Sequence, residues 1–249
     1  MMESQQTIAV FGATGATGRL LVAELLARGV RVRAVARSAT KMREVLPEPL
    51  RDHAGLTVVE ASVSELSDAE LADYLHGCSA AASCLGHTLS FRGIYGKPRR
   101  LVTDTARRVC DALAARATED APARFVLMCS AGVRHRGQPE PVPLAQRAVL
   151  ALLRLLVPPH ADNEHAAEHL RTRVDPDGPV RWAVVRPDTL TDHDAVTPYD
   201  THPAPTRSAI FNPGKTHRIN VAHFIADLLT DPDTSAQWAG RMPVLYNKP

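Results

Sequence analysis

A glycine-rich turn close to the N-terminus constrains the fold of this chain more than any other feature. It follows the apolar run Thr7–Phe11 and leads into an amphipathic stretch that starts at Arg19. Its seven residues are Gly12, Ala13, Thr14, Gly15, Ala16, Thr17 and Gly18. A strand, a glycine turn and a helix in this order are typical of a dinucleotide site, because the free amides at a helix start favour a pyrophosphate. A purely structural turn is the alternative.

The spacing of the glycines assigns a role to each of them. In dinucleotide-binding folds the first glycine permits a tight turn and the second permits close approach of the pyrophosphate. The third lets the helix pack closely on the sheet. The sequence therefore predicts these roles for Gly12, Gly15 and Gly18.

The end of the next predicted strand indicates which dinucleotide binds. Residues 30–36 are predicted to form the next strand, which ends at Arg37, where an NAD-specific enzyme usually carries Asp or Glu for the ribose 2′-hydroxyl. Arg37, together with Ser38 and Lys41, suits a 2′-phosphate, because a guanidinium fork and an ammonium both attract phosphate oxygens. The sequence predicts NADP(H) as the cofactor. A solvated arginine at a strand end is the alternative.

The remaining pattern predicts an α/β fold. Apolar runs alternate with helical patterns, which is typical of βαβ units and of a Rossmann-type, doubly wound, mainly parallel sheet. The 249 residues suffice for a single NAD(P)-binding domain, residues 1–249. We expect residues 190–249 to form a small C-terminal cap on the substrate side, and Pro158-Pro159 to separate two helices.

Composition excludes several classes of partner. The net charge is +2 with both signs interspersed, so no nucleic-acid partner is expected. Residues 142–157 form the longest apolar stretch, which is too short for a membrane span and contains two arginines. That helix could instead cover the site or pair with a second copy, which leaves a homodimer as an open expectation. The cysteines form no C-x-x-C pair and no signal sequence is visible, so a cytoplasmic protein is expected.

Ligands of open parallel sheets bind beyond the carboxyl ends of the strands, and those ends can be read from the sequence. We expect them to converge on one crevice. Beyond the glycine turn and Arg37, the strand-end residues are Ser62, Val63, Leu85, Gly86, His87, Ser130, Arg186 and Pro187.

Taken together, these segments resemble the atypical short-chain dehydrogenase/reductases, in particular the biliverdin IX-beta/flavin reductase-like and NmrA-like NAD(P)H-binding proteins. The resemblance implies an NADPH-dependent reductase or an NADPH-sensing protein. It places the phosphates on residues 14–17, the adenine beside Ser62 and Val63, and the nicotinamide between residues 85–86 and Ser130. Two segments depart from the pattern: a longer loop at residues 87–98, and Asp188 after Arg186-Pro187. Substrate identity is therefore not implied. The segments that carry the resemblance are Phe11–Gly18, Arg37–Lys41, Cys84–Gly86, Cys129–Ala131, Asp162–His165 and Val185–Pro187.

The catalytic residues are harder to predict. None of the four tyrosines has a lysine four residues later, so the Tyr-x-x-x-Lys pair that donates a proton in most short-chain dehydrogenases is absent. Ser130 is the best candidate for orienting the nicotinamide or donating a proton, and His87 could relay one; structural roles, and a solvated loop for His87, are the alternatives. The candidate substrate contacts are Arg92, Tyr95, Arg134 and Asp188.

Three hypotheses about function follow. The first is an NADPH-dependent reductase of a small conjugated or carbonyl-containing substrate. The second is an NADP(H)-sensing regulator without turnover, and the third is an NADP-dependent epimerase or isomerase. A zinc peptidase is a remote alternative, because His165 and His169 flank Glu168 in an H-x-x-E-H pattern. An exposed polar helix face explains that pattern equally well, and no metal is expected.

Overall fold

The computed structural model describes residues 6–87, 95–96, 98–118, 120–140 and 143–248. Arg92 and most of the predicted loop at residues 87–98 lie outside this set. No helix within the described residues has the length and apolar character needed to cross a membrane.

The main sheet has eight strands in the order β3-β2-β1-β4-β5-β6-β10-β8. All neighbouring strands are parallel except β8, which runs antiparallel to β10. Strands β7 and β9 form a separate parallel pair. The strands are β1 Thr7–Phe11, β2 Arg31–Ala36, β3 Leu56–Glu60, β4 Ala80–Ser83, β5 Ala123–Met128, β6 Val180–Pro187, β7 Thr189–Thr191, β8 Tyr199–His202, β9 Lys215–His217 and β10 Val244–Asn247.

Helices cover both faces of the sheet. Helices α1 and α7 pack on one face, and α3, α4 and α6 pack on the other. The doubly wound Rossmann-type prediction is confirmed. The helices are α1 Gly18–Ala27, α2 Ala39–Glu44, α3 Asp68–Tyr74, α4 Leu101–Ala114, α5 Leu144–Leu156, α6 Pro158–Arg173, α7 Arg218–Thr230 and α8 Pro232–Trp238.

The central strands explain why the sheet is covered on both sides. Along β1, Ile8 and Val10 belong to the core on one face, whereas Ala9 and Phe11 belong to the core on the other. A strand with apolar residues at every position is typical of a parallel sheet that is buried on both faces. The strand order turns at β1, which lies between β2 and β4, so the ligand crevice is expected at the carboxyl ends of these strands.

The structure differs from the architecture predicted from the sequence in two details. Pro158 and Pro159 do not separate two helices; they form the first turn of α6, where a missing N–H costs nothing because that amide has no partner inside the helix. The break falls at Val157 instead.

The C-terminal quarter is also more than a cap. Helix α7 contributes Phe224, Ile225 and Leu229 to the main core beside α1, and β10 extends the sheet next to β6. The apolar residues of α7 need burial that a peripheral cap does not supply.

Candidate functional site

The glycine turn has the geometry that its spacing predicts. Gly12 has a φ of +76°, and a Cβ there would lie 2.7 Å from the carbonyl carbon of Cys84 at the end of β4. A Cβ at Gly18 would overlap the carbonyl oxygen of Gly12. Both positions therefore require glycine. Gly12 is needed for its backbone conformation and its close contact with the end of β4, and Gly18 is needed because α1 begins directly against the turn.

The middle of the turn is open to a ligand. Gly15 and Ala16 are exposed, and a Cβ at Gly15 would meet only the Gly12 carbonyl oxygen, at 3.1 Å. The amides of Thr14, Ala16 and Thr17 donate no hydrogen bond within the described part of the chain. Because a helix start with free N–H groups attracts anions, these amides fit a diphosphate.

Arg37 lies at the carboxyl end of β2 with its side chain exposed. Its guanidinium makes no hydrogen bond or ion pair with the described residues. Ser38 caps α2, since its Oγ accepts from the Lys41 amide at 3.2 Å, which leaves the hydroxyl proton for another acceptor. The Lys41 side chain is exposed. This arrangement suits a phosphate on the ribose.

The carboxylate of Glu60 is expected to oppose the binding of a phosphate on the ribose. Its Oε2 accepts the Ala39 amide at 2.8 Å, so a carboxylate lies at the start of α2 beside the Arg37–Lys41 segment. We expect Glu60→Gln to increase the preference for NADPH over NADH several-fold, because the repulsion of a 2′-phosphate by a nearby charge disappears. Binding constants for both nucleotides, with Glu65→Gln as the exposed control, measure this change. An unchanged ratio would contradict the placement of the phosphate.

At the end of β3 the two predicted adenine contacts differ. Ser62 is half-buried, and its Oγ lies 3.0 Å from the Oγ of Ser64. The side chain of Val63 is part of the core, and its carbonyl accepts from Arg108 at 2.9 Å. Ser62 is therefore the member of the pair with a polar side chain at this edge.

The segment after β4 contains the first unexpected contact. Leu85 is half-buried, and Gly86 is exposed with open space around its α-carbon. His87 is not a solvated loop histidine, because its side chain is only 6% exposed and its Nε2 lies 3.0 Å from Oδ2 of Asp162 on α6. Its Nε2 is therefore engaged in a buried pair.

Asp162 connects this segment to α4. Its carboxylate accepts the Val102 and Thr103 amides at 2.8 and 3.0 Å and the Thr103 hydroxyl at 2.6 Å. Asp162 thus caps α4 from another helix, and the free amides of that helix start satisfy a carboxylate that is almost fully buried. The sequence contained no signal for this contact.

Ser130 follows β5, and a group on α6 lies close to it. A Cβ built on Gly132 would lie 3.7 Å from the Ser130 Oγ and 3.4 Å from Cε1 of His160. His160 Nε2 is 3.4 Å from Oε1 of Glu164. Arg154 binds the same carboxylate through two contacts, of 2.5 and 2.6 Å.

The pKa of Glu164 reflects this environment. Burial alone would raise the pKa, but the Arg154 and His160 groups outweigh burial and lower it from 4.5 to about 2. Because the pKa of the folded state is depressed, the ionised carboxylate stabilises the fold above its ordinary pKa and loses that contribution as pH falls.

We therefore expect the stability advantage of the wild type over Glu164→Gln to be largest above pH 4.5 and to shrink as the pH approaches about 2. Urea unfolding across this range measures the difference. Glu65→Gln, at an exposed position outside this cluster, is the control for general acid effects. A constant difference between wild type and Glu164→Gln would contradict the assigned ionisation.

Arg186 and Pro187, which the sequence places among the cofactor contacts, are buried in the structure. Arg186 is fully buried; it donates to the carbonyls of Met242 and Val133 at 2.7 and 2.8 Å and pairs with Glu140 at 2.8 Å. Pro187 is buried in β6, and its carbonyl accepts the Ala131 amide. Strand β6 continues through both residues beside β10, so they tie the loop after β5 to the sheet.

The predicted substrate residues are dispersed around the same edge. Asp188 accepts the Thr189 and Gly214 amides at 2.8 and 2.9 Å, and burial raises its pKa. The exposed Arg134 donates to the Glu140 carbonyl at 3.2 Å. The hydroxyl of the exposed Tyr95 donates to the Leu156 carbonyl at 3.0 Å.

The H-x-x-E-H pattern does not build a metal site in the part of the chain that the structure describes, where no cluster of three metal-binding side chains occurs. His165 is exposed, and Glu168 pairs with Arg171 at 2.8 Å. The cysteines are free, and burial raises the pKa values of Cys84 and Cys129 to about 12, which makes both thiols poor nucleophiles.

Comparisons with known proteins agree with this geometry. Residues 12–232 match the family described as NAD(P)H-binding. A short-chain dehydrogenase/reductase (wide type) from Veillonella parvula, solved in complex with NADP, is 18% identical, with a TM-score of 0.68 over 97% of this chain and 94% of that one. An anaerobilin reductase from Escherichia coli is 20% identical, with a TM-score of 0.63 over 98% and 100% of the two chains. An oxidoreductase from Lactococcus lactis is 17% identical, with a TM-score of 0.68 over 98% and 91%.

No curated protein sequence matches the chain. At these identities the solved structures establish the fold, whereas the family match spans most of the sequence. That match includes the glycine turn whose open amides lie at the carboxyl edge of the sheet. As the resemblance in its sequence predicts, the chain belongs to the NAD(P)H-binding family.

Proposed function

We propose that this protein is an NADPH-dependent reductase that transfers hydride to a small conjugated or carbonyl-containing organic substrate. The observation that carries the proposal is the open glycine turn, whose unpaired amides lie at the same sheet edge as the exposed Arg37. The amides of Thr14, Ala16 and Thr17 would hold the diphosphate. Arg37 and Lys41, with the Ser38 hydroxyl, would hold the 2′-phosphate.

Ser62 would lie beside the adenine, and the backbone of Leu85 and Gly86 would face the nicotinamide. When bound, the nicotinamide supplies a hydride, and the protein has to orient the acceptor and provide a proton. Ser130 is the hydroxyl best placed for that proton, since it follows β5 at the carboxyl edge and is not fully buried. Asp188, Arg134, Tyr95 and Arg92 are the proposed substrate contacts.

Two proteins with this fold support a reductase. One structural relative is an anaerobilin reductase, and another was solved with NADP. A conjugated acceptor suits a site without a Tyr-x-x-x-Lys pair, because the anion that forms on hydride addition is stabilised by conjugation and needs only a weak acid.

The direct test follows the loss of NADPH absorbance with a panel of flavins, quinones and enones. We expect turnover with at least one acceptor, and we expect Ser130→Ala to reduce kcat by about 10²-fold with little change in NADPH affinity. Ser79→Ala, at an exposed position before the amino end of β4, is the matched control. Tight NADPH binding without oxidation by any acceptor would contradict the reductase.

That outcome would favour the second candidate, a protein that senses NADP(H) without turnover. The missing Tyr-x-x-x-Lys pair is the observation in its favour. An epimerase or isomerase would convert its substrate while the amount of NADPH stays constant, so product analysis in the same assay distinguishes it.

A further inference from the structure

Ser130 and His160 border the same small space, although 30 positions separate them in the chain. The reference point is the α-carbon of Gly132, where an added Cβ would contact the Ser130 hydroxyl at 3.7 Å, the His160 Cε1 at 3.4 Å and the Leu150 Cδ2, which also lines the space, at 3.7 Å. Glycine at this position leaves that space free. The hydroxyl and the ring therefore face a common gap that a water molecule or a small shift of the ring could bridge.

The other side of the His160 ring faces a fixed negative charge. Its Nε2 is buried, lacks a well-aligned hydrogen bond, and lies 3.4 Å from Oε1 of Glu164. Arg154 holds that carboxylate through two contacts, which keeps it ionised and oriented. The carboxylate orients the ring through Nε2, and Nδ1 is the other ring nitrogen bonded to Cε1, the atom that approaches Gly132.

We propose that His160 is a positioning residue that supplies protons to Ser130, with Glu164 and Arg154 holding its ring. The inference rests on the proposed reductase function. The substrate accepts a hydride, with its two electrons, from the reduced nicotinamide and takes the hydroxyl proton of Ser130. The Nδ1–H bond of the protonated His160 then breaks to restore the Ser130 hydroxyl, and the ring regains a proton from water.

His87 is less suited to this role, although it is nearer to the predicted nicotinamide position in sequence. Its Nε2 is bound to Asp162, and the Asp162 carboxylate is already satisfied by the α4 amides. His160 is the histidine whose ring and the Ser130 hydroxyl border one gap.

The first experiment needs neither cofactor nor substrate. Ser130→Cys places a thiol beside the His160 ring, and we expect iodoacetamide to alkylate it about tenfold faster than in the Ser130→Cys/His160→Gly double variant, because a neighbouring imidazole promotes thiolate formation. Cys84, Cys110 and Cys129 are buried, and the half-buried Cys78 is replaced by Ser in both variants, so the native thiols contribute little background. Equal alkylation rates in the two variants would overturn the proposal.

The second experiment measures the relay in turnover. We expect His160→Gly to lower kcat about 10²-fold while KM and NADPH affinity stay within twofold, and added imidazole to restore most of the loss. His165→Gly, which places the same substitution on the exposed side of α6, is the control for helix destabilisation. Imidazole should not rescue the Ser130→Ala/His160→Gly double variant, since the relay then lacks its acceptor.

A third variant interrupts the gap without removing either group. Gly132→Ala adds a methyl at ordinary contact distances, so we expect a normal fold and a kcat lowered about tenfold. A wild-type kcat in both His160→Gly and Gly132→Ala would overturn the relay. The thiol assay requires no cofactor, so the two proposals can fail separately. If His160 accelerates alkylation of the thiol but no acceptor oxidises NADPH, the reductase function is contradicted and the coupling of Ser130 with His160 is retained.

Discussion

Gly18→Ala is expected to abolish measurable NADPH binding and to lower the free energy of unfolding by about 3 kcal/mol. The added methyl would overlap the Gly12 carbonyl oxygen, which is backbone and cannot move without opening the turn. The start of α1 would shift, and the open amides of Thr14, Ala16 and Thr17 would lose their common orientation. Urea unfolding and calorimetric titration with NADPH measure the two effects.

Two other glycines separate folding from binding. Gly15→Ala places its methyl 3.1 Å from the Gly12 carbonyl oxygen and away from all other atoms, so we expect a smaller loss of stability than in Gly18→Ala and at least tenfold weaker NADPH binding. Gly29 lies beyond the other end of α1, with a φ of +74° and no atom near an added Cβ. Gly29→Ala should cost about 1 kcal/mol of stability through backbone strain and leave NADPH affinity unchanged. Normal binding by Gly18→Ala would contradict the role of the turn.

Arg186→Met is expected to cost about 3–5 kcal/mol of unfolding free energy. The arginine is fully buried, so its removal leaves the Glu140 carboxylate buried without its cation and the carbonyls of Met242 and Val133 without donors. The loop after β5, which carries Ser130, would lose its attachment to β6 and β10. Urea unfolding measures the loss.

Two further variants test the same buried ion pair if Arg186→Met does not fold. The double variant Arg186→Met/Glu140→Gln removes both charges and should recover part of the stability. Arg218→Met breaks an ion pair with Asp192, whose side chain is 80% exposed, and should cost less than about 1 kcal/mol. If Arg186→Met matched Arg218→Met in stability but weakened NADPH binding, Arg186 would be a nucleotide contact after all.

The local parts of the site could be predicted from the sequence because neighbouring residues determine them. The turn at Gly12, Gly15 and Gly18 is set by one strand, one helix and the steric needs of the backbone between them. Arg37 is exposed because it comes directly after Ala36, the last residue of β2. In a parallel sheet the carboxyl ends of all strands lie at the same edge, so predicting a strand correctly also predicts which of its residues lie at the ligand edge.

The contacts made by α6 could not be predicted in this way. Asp162 caps α4 and binds His87, which lie 60 and 75 positions away in the chain, and no periodic pattern encodes such a pair. The approach of His160 to Gly132, in the loop after β5, could not be predicted for the same reason. The burial of Arg186 beside Glu140 could not be predicted either, because the sequence does not show whether a side chain at a strand end faces the crevice or the interior.

The central claim is that the open turn binds a diphosphate while Arg37 selects the phosphorylated ribose. Calorimetric titration of the wild type and of Arg37→Asp with NADPH and NADH tests it directly. We predict that the wild type binds NADPH at least tenfold more tightly than NADH, and that Arg37→Asp loses or reverses this preference, because charge-assisted hydrogen bonds to the phosphate contribute roughly 1.5–3 kcal/mol each. No affinity of the wild type for either nucleotide, or an undiminished NADPH preference in Arg37→Asp, would contradict the account.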